Sequence, residues 1–138
     1  WLSDQLCLFA RHDHPMFAQT SSPYRMIGHW EWVLREPGSG TREIFLRAIG
    51  NALPQSPRIA LEVNDADTQK RMVAGSDWLG CMSRRVLSPD ARADGLRQIP
   101  IPTALQRALT RRFWIIRHPD RFYTQTMATV DQVAATFE

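Results

Sequence analysis

The sequence has one lysine, two cysteines and no long hydrophobic run. No apolar stretch approaches the roughly twenty residues that a helix needs to span a bilayer, and no signal-peptide pattern opens the chain, so we expect no membrane association. Cys7 and Cys81 lie in separate apolar segments without other metal ligands at close spacing. We therefore expect two buried thiols, and neither a disulfide framework nor a metal site. This use of cysteine favours a reducing, cytoplasmic compartment.

Positive charge is carried almost entirely by arginine, because Lys70 is the only lysine among 17 basic residues. The arginines are dispersed along the chain, and only Arg84-Arg85 and Arg111-Arg112 are adjacent pairs. A nucleic-acid-binding protein would cluster its basic residues on one face or along one helix. We therefore expect these residues not to bind DNA directly.

Length and composition predict one globular domain with a hydrophobic core. The chain has 138 residues, of which 43% are hydrophobic and 22% are charged. These values are ordinary for a folded domain of this size. Because the chain begins with Trp1 and not with Met, we interpret it as a fragment or an excised domain.

The hydrophobic pattern alternates between strands and helices. Strands are predicted at residues 5–10, 30–34, 58–63, 78–83, 95–102 and 111–118. Helices are predicted at 41–50, from Asn64 or Asp65 to a left-handed cap at Gly75, and in the tail. The tail helix carries a stripe that we expect to face the core, formed by Tyr123, Met127, Val130, Ala134 and Phe137. Such alternation predicts an α/β fold, with a mostly parallel sheet flanked by helices.

The segment "PGSGTR" joins a predicted strand to a predicted helix. In an open parallel sheet, ligands collect at the carboxyl ends of the strands. Three such ends lead into Ser39-Gly40-Thr41, Asn64-Asp65 and Ser83-Arg84-Arg85. At the first, unpaired helix N–H groups, close backbone approach at the glycines and two hydroxyls would suit a small anion. The alternative is that Ser39 or Gly40 only caps the helix, and spacing alone does not decide between the two.

Positive evidence for catalysis is missing. A P-loop requires Lys-Ser/Thr after its last glycine, whereas Thr41-Arg42 follows Gly40. Neither a Gly-x-Ser-x-Gly elbow nor an acid/base pair near a nucleophile is present. His12 and His14 could be two metal ligands on one strand face, but Pro15 favours a turn at a strand end. We expect no catalytic residue, no metal and no cofactor.

Several segments, taken in order, resemble LysR-type transcriptional regulators. They are "HDHPM", "WVLREPGSGTRE", "LEVNDADTQKRMVAG", "LGCMSRR", "GLRQIPIP" and "FWIIRHPDRF" with a final helix. The resemblance covers the second half of the effector-binding domain, and "REPGSGTR" is its most specific part. It implies a fold like that of type 2 periplasmic binding proteins, in which two α/β subdomains are joined by two crossing strands. It weakens at "GSDWLGC", where Trp78 lines the pocket or covers the core, and its size favours the core.

The resemblance also implies an assignment of segments and of a binding site. Residues 1–13 would be a crossover strand from a missing first subdomain, 14–111 the second subdomain, and 112–138 a return strand and C-terminal helix. A small anionic effector would bind in the cleft between the subdomains. The residues that would bind it are Ser39, Gly40, Thr41, Asn64 and Ser83.

The function expected from the resemblance is ligand sensing without enzymatic activity. DNA would be bound only through a helix-turn-helix domain absent from this chain. The protein would be a homo-oligomer, with the tail stripe buried in a dimer or folded back onto its own sheet. The alternative is a solute-binding protein of a transport system, which the missing signal peptide disfavours. An enzyme of related fold would require a nucleophile or a base at the same edge of the sheet.

Overall fold

The computed structural model describes residues 2–18, 22–87, 94–118, 120 and 122–136. The strands are β1 (Leu2–Arg11), β2 (Glu31–Arg35), β3 (Arg58–Val63), β4 (Leu79–Ser83), β5 (Leu96–Gln98) and β6 (Thr110–Phe113). The α-helices are α1 (Gly40–Gly50), α2 (Ala66–Ala74), α3 (Thr103–Ala108) and α4 (Gln125–Ala135). Two 3-10 helices, Pro15–Ala18 and Pro23–His29, lie between β1 and β2. This order of elements confirms the predicted α/β class.

All six strands form one sheet, in the order β3-β2-β4-β1-β5, with β6 paired to β1. Strand β2 runs parallel to β3 and to β4. Strand β1 runs antiparallel to β4, β5 and β6, so the sheet is mixed and not mostly parallel as predicted. The parallel pairings bring the carboxyl ends of β2, β3 and β4 to the same edge of the sheet, where the predicted binding residues follow them.

Strand β2 is buried on both faces, which is the pattern of a central strand covered by helices. Trp32 and Leu34 belong to one core cluster, in which the Trp32 ring lies 4.5 Å from the ring of Phe45 in α1. Val33 belongs to a second cluster together with Val73 of α2. The two clusters confirm that helices flank the sheet on both sides.

Helix α2 begins as predicted and ends differently. The Asp65 carboxylate accepts a hydrogen bond from the Thr68 backbone N–H at 2.8 Å and so caps the first turn. Gly75 has a φ of −95°, so the predicted left-handed cap is wrong. The Gly75 N–H donates to the Arg71 carbonyl at 3.1 Å, and the Ser76 N–H donates to the Val73 carbonyl at 3.4 Å, so the helix ends in a tighter turn without a left-handed residue.

Two predictions for the segment before the tail are also wrong. Strand β6 ends at Phe113, although the apolar run predicted a strand to residue 118. Pairing with β1 stops at the Leu2–Phe113 pair, and beyond it Trp114 and Ile116 are 70% and 89% exposed. A strand was also predicted over residues 95–102, whereas β5 ends at Gln98, ahead of two prolines that cannot donate to a ladder. The short helix α3, which follows these prolines, was not predicted.

The tail helix forms, but its apolar stripe is largely exposed. Tyr123 is 49% exposed, Met127 37% and Val130 61%, whereas Ala134 is buried. Phe137 lies outside the described residues. The prediction that this stripe faces the core is therefore wrong for the first three residues. Helices α1, α2 and α3 already pack on the strands, so these side chains have no core to enter.

His14 is buried at the turn that follows β1, as Pro15 indicated. Its Nδ1 accepts from the Met16 backbone N–H at 3.1 Å, and its Nε2 donates to the Asp77 carbonyl at 3.0 Å. Both ring nitrogens are thus used within the protein, which excludes the metal-ligand interpretation for His14 in this fold. Trp78 is half-buried against the second core cluster, in agreement with the favoured interpretation.

The helices are too short or too polar to cross a membrane, among the residues described.

We predict that Gly80→Ala destabilises the fold. A Cβ at Gly80 would lie 2.3 Å from Cζ of Phe9, its cross-strand neighbour, and that ring is completely buried. Overpacking of this kind costs about 1–3 kcal/mol of unfolding free energy, which urea denaturation measures. Gly50→Ala is the matched control, because nothing lies within 4 Å of its added Cβ. Equal stabilities of the two variants would contradict the steric argument.

We further predict that the two thiols are unreactive in the folded protein. Both cysteines are buried and free, and burial raises the pKa of Cys7 to about 12. Burial also raises the pKa of Cys81. Because only the thiolate reacts, Ellman's reagent at about pH 8 should label the folded chain far more slowly than the chain unfolded in urea. Rapid labelling without urea would show that one of the strands opens readily.

Candidate functional site

A tight turn carries the chain from β2 into α1. The Ser39 backbone N–H donates to the Glu36 carbonyl at 3.2 Å, which places Pro37 and Gly38 at the two central positions. Gly38 has a φ of +88°. This is the arrangement of a type II turn, which favours proline first and requires glycine or asparagine second. The "PG" of the sequence is therefore explained by backbone geometry.

The first turn of α1 is open at its N-terminus. Ser39 occupies the N-cap position, but its side chain makes no capping hydrogen bond. The N–H groups at the start of a helix lack intrahelical acceptors and concentrate the positive end of the helix dipole. A Cβ added at Gly40 would meet nothing within 4 Å, so the backbone is approachable there. The first turn therefore lacks a side-chain cap from Ser39.

Four side chains form a hydrogen-bonded network beside this turn, which we call the Asp4 network: Asp4, Thr41, Ser83 and Arg111. Arg111 Nε donates to Asp4 Oδ2 at 2.7 Å, and its Nη1 donates to Thr41 Oγ1 at 3.1 Å. Ser83 Oγ donates to Asp4 Oδ1 at 2.7 Å. The network therefore joins β1, β4, β6 and the start of α1.

The hydrogen bonds define what each hydroxyl in the network can do. Thr41 accepts from a guanidinium that can only donate, so its own O–H is available to donate to another group. Ser83 donates to Asp4 and also accepts from the Arg85 backbone N–H at 3.2 Å. The Ser83 hydroxyl thus already donates one hydrogen bond and accepts another within the protein. Thr41 is the better placed of the two to contact a ligand.

Charge in the network is balanced but unevenly buried. Asp4 is 3% exposed as a residue, and the Arg111 side chain is 21% exposed. The guanidinium also lies 4.8 Å from the centre of the Phe113 ring. Arg111 therefore places a cation beside the positive end of α1, which is unfavourable without a nearby anion. The Asp4 carboxylate supplies the negative charge within the protein.

A second group of charges holds the ends of β2 and β3 to α1. Arg42 Nη1 donates to Glu62 at 2.6 Å and to the Arg35 carbonyl at 2.9 Å. Arg35 also pairs with Glu36 at 2.8 Å, and this guanidinium lowers the pKa of the Glu36 carboxyl. These contacts fix the orientation of α1 relative to the edge of the sheet.

The five predicted binding residues do not form one cluster of contacts. Ser39, Gly40 and Thr41 open α1, and Ser83 reaches Thr41 through Asp4 and Arg111. Asn64 is exposed and lines a depression that also includes Glu36, the first residue of the α1 turn, and Glu62. Hydrogen bonds thus connect Ser83 to Thr41, whereas Asn64 adjoins the α1 turn through the depression that it shares with Glu36.

Sequence reasoning missed Asp4 and Arg111. A signal was present for Asp4, because a carboxylate beside the buried run "LCLFA" requires a positive or hydrogen-bonding partner. Nothing in the sequence indicated which of 16 arginines would be that partner, since strand pairing alone brings Arg111 opposite Asp4. Among the described residues, no group of three or more His, Cys, Asp or Glu side chains could hold a metal ion.

Sequence comparison assigns the chain to a family. Residues 1–136 match the family model of the LysR substrate binding domain. The chain belongs to the LysR substrate-binding domain family. This confirms the resemblance carried by "REPGSGTR" and the segments around it.

Two curated relatives are transcriptional regulators of the helix-turn-helix type. YeiE of Escherichia coli K12 is 32% identical over 127 residues, which cover 92% of this chain and 42% of YeiE. CysL of Bacillus subtilis 168 is 28% identical over 90 residues, which cover 65% of this chain and 30% of CysL. The chain therefore spans less than half the length of these two relatives.

Solved structures show the same fold at low sequence identity. The regulatory domain of Synechocystis CcmR in complex with 2-PG has a TM-score of 0.81 at 22% identity, covering 99% of this chain and 64% of that one. The effector-binding domain of QuiR in complex with shikimate has a TM-score of 0.71 at 12% identity, covering 99% and 62%. A phosphate transport receptor from Vibrio cholerae has a TM-score of 0.60 at 19% identity, covering 98% of this chain and 66% of the receptor. These similarities confirm the fold of type 2 periplasmic binding proteins.

We predict that Asp4→Asn destabilises this LysR-family domain strongly. The substitution keeps the shape but leaves the Arg111 cation unbalanced beside the start of α1. Breaking a buried ion pair costs about 3–5 kcal/mol, and the partial exposure of Arg111 favours the lower end. Asp67→Asn is the control in chemical denaturation, since Asp67 pairs with Lys70 with 77% of its side chain exposed. The Asp67→Asn variant should lose no more than about 1 kcal/mol of unfolding free energy. Similar losses for both variants would contradict a structural role for the Asp4 network.

Proposed function

We propose that this chain is the ligand-sensing part of a LysR-type bacterial transcriptional regulator, and that it binds a small anionic effector. The effector would lie at the carboxyl edge of the sheet, in a cleft between these residues and a second subdomain. The residues proposed to face it are Ser39, Gly40, Thr41, Asn64 and Ser83. Thr41 and the N–H groups of the first turn of α1 would make the principal contacts.

One observation carries the anion proposal. The open N-terminus of α1 and the Arg111 guanidinium approach each other at Thr41, where Arg111 Nη1 lies 3.1 Å from the Thr41 hydroxyl. Two sources of positive potential and one available O–H donor thus lie together. Asp4 balances only one charge and is almost completely buried. A small carboxylate, sulfate or phosphate could neutralise the remaining positive potential.

The pairing of β1 with β6 supports the proposed assignment of segments. These two strands lie side by side and antiparallel, with Leu2 opposite Phe113. We propose that they are the two crossing strands, with residues 1–13 entering the second subdomain, 14–111 forming it, and 112–138 returning to the first. The exposed apolar face of α4 and the neighbouring Ile115 and Ile116 would then pack against the first subdomain.

The relatives support the broader function. CcmR and QuiR domains of this fold were solved with 2-PG and with shikimate, so the fold accommodates small molecules. In the proposed regulator, a helix-turn-helix domain outside these residues would contact DNA, and the protein would act as a homo-oligomer in the cytoplasm. The proposal includes no enzymatic activity, since YeiE and CysL are transcriptional regulators.

A solute-binding protein remains the second candidate. The similarity to the phosphate transport receptor covers 98% of this chain and favours it through the shared fold. The family match and the two curated relatives favour a regulator. A regulator should change the DNA affinity of its full-length protein on binding its effector, whereas a solute-binding protein should not.

We predict that Thr41→Val weakens anion binding and preserves the fold, because it removes one O–H donor and keeps the shape. NMR titrations of the chain with sulfate, phosphate, 2-PG and shikimate, at ionic strength matched with chloride, should shift the amides of residues 39–42. A lost hydrogen bond to a charged ligand weakens affinity about ten- to a hundredfold. Thr129→Val in α4 is the control. Unchanged affinity in Thr41→Val, or shifts confined to other residues, would refute the site.

A further inference from the structure

Strands β1 and β6 are joined by hydrogen bonds in addition to those of their backbone ladder. The Leu6 backbone N–H donates to the Leu109 carbonyl at 3.0 Å, just before β6 begins. Thr110 Oγ1 donates to Gln5 Oε1 at 2.9 Å, and Gln5 Nε2 donates to the Gln106 carbonyl at 2.9 Å. The Thr110–Gln5 bond adds a side-chain link to the backbone ladder between the two strands, and the Gln5–Gln106 bond holds β1 to α3. A displacement at one strand is therefore transmitted to the other.

Arg111 connects this strand pair to the start of α1. It lies directly opposite Asp4 in the β1–β6 ladder, and its Nε makes the 2.7 Å bond to that carboxylate. Through Nη1 the same rigid, planar group bonds to Thr41 of α1 at 3.1 Å. Because a guanidinium holds its donors in a fixed fork, moving Thr41 relative to Asp4 must strain at least one of these bonds.

We propose that Arg111 is a positioning residue that couples occupancy of the α1 turn to the geometry of the β1–β6 pair. This inference rests on the proposed function, since it assumes that an anion binds beside Thr41. An anion there would attract the guanidinium, strengthen its hold on α1 and tighten the strand pair. Lysine cannot replace Arg111 in this role, because one ammonium on a flexible stem does not hold both partners in a fixed geometry.

The first test uses the protein without added anion. Residue-resolved hydrogen exchange is compared between the wild type, Arg111→Lys and Arg112→Lys, the last being the exposed neighbour in β6. Arg111→Lys should speed exchange of the amides of residues 43–46, the first that are hydrogen-bonded within α1, about ten- to a hundredfold, and Arg112→Lys should not. A purely local role of the ion pair would affect only β1 and β6. Unchanged exchange in α1 would overturn the proposal.

The second test adds sulfate, with chloride at matched ionic strength. In the wild type, sulfate should slow exchange at residues 110–113. In Arg111→Lys and in Thr41→Val, which breaks the same bond from α1 and leaves the Asp4 pair in place, that response should disappear even where sulfate still shifts residues 39–42. An equal response in these variants would overturn the coupling. If sulfate does not bind the wild type, the proposed anion site fails, and the first test alone decides the role of Arg111.

Discussion

The ion pair between Asp4 and Arg111 is the interaction on which the arrangement of this edge of the sheet depends. A carboxylate buried in β1 requires a cation, and the antiparallel pairing of β1 with β6 supplies it directly opposite. Once the guanidinium is held there, its remaining donors reach α1 at Thr41. One buried charge thus fixes the relative positions of two strands, a helix start and, through Ser83, the end of β4.

The same constraint connects stability with function. The cation beside the positive end of α1 is tolerated because Asp4 compensates it, and the positive potential that remains at the open first turn is what an anion would bind. Substitutions of Asp4 or Arg111 should therefore affect both folding and ligand binding, whereas Thr41→Val, which removes one hydroxyl and keeps the shape, should affect mainly binding. The ends of β2 and β3 help to orient α1, because Arg42 of this helix bonds to Glu62 of β3 and to the Arg35 carbonyl of β2.

Local signals in the sequence were sufficient for much of the fold. Turn chemistry and helical spacing located α1 almost to the residue, and the Asp65 cap located α2. Pairing between residues far apart in sequence was not predictable. Residues 114–118 have strong strand propensity, but β6 stops before them because its ladder with β1 ends at the Leu2–Phe113 pair. The candidate site could be predicted only in part, because some of its residues are placed by local sequence and others by strand pairing. Thr41 follows a recognisable turn, whereas Arg111 joins it only through a register between residues far apart in sequence.

The proposed anion site lies where α1 and Arg111 meet. It is tested most directly by a crystal structure of the chain grown in selenate, whose selenium gives an anomalous signal. We expect an anomalous peak within hydrogen-bonding distance of Thr41 Oγ1 and of the backbone N–H groups at the start of α1. The same peak should be absent, or much weaker, in Thr41→Val crystals of the same form. A wild-type map without selenate at this turn, with selenate ordered elsewhere on the molecule, would contradict the proposed site.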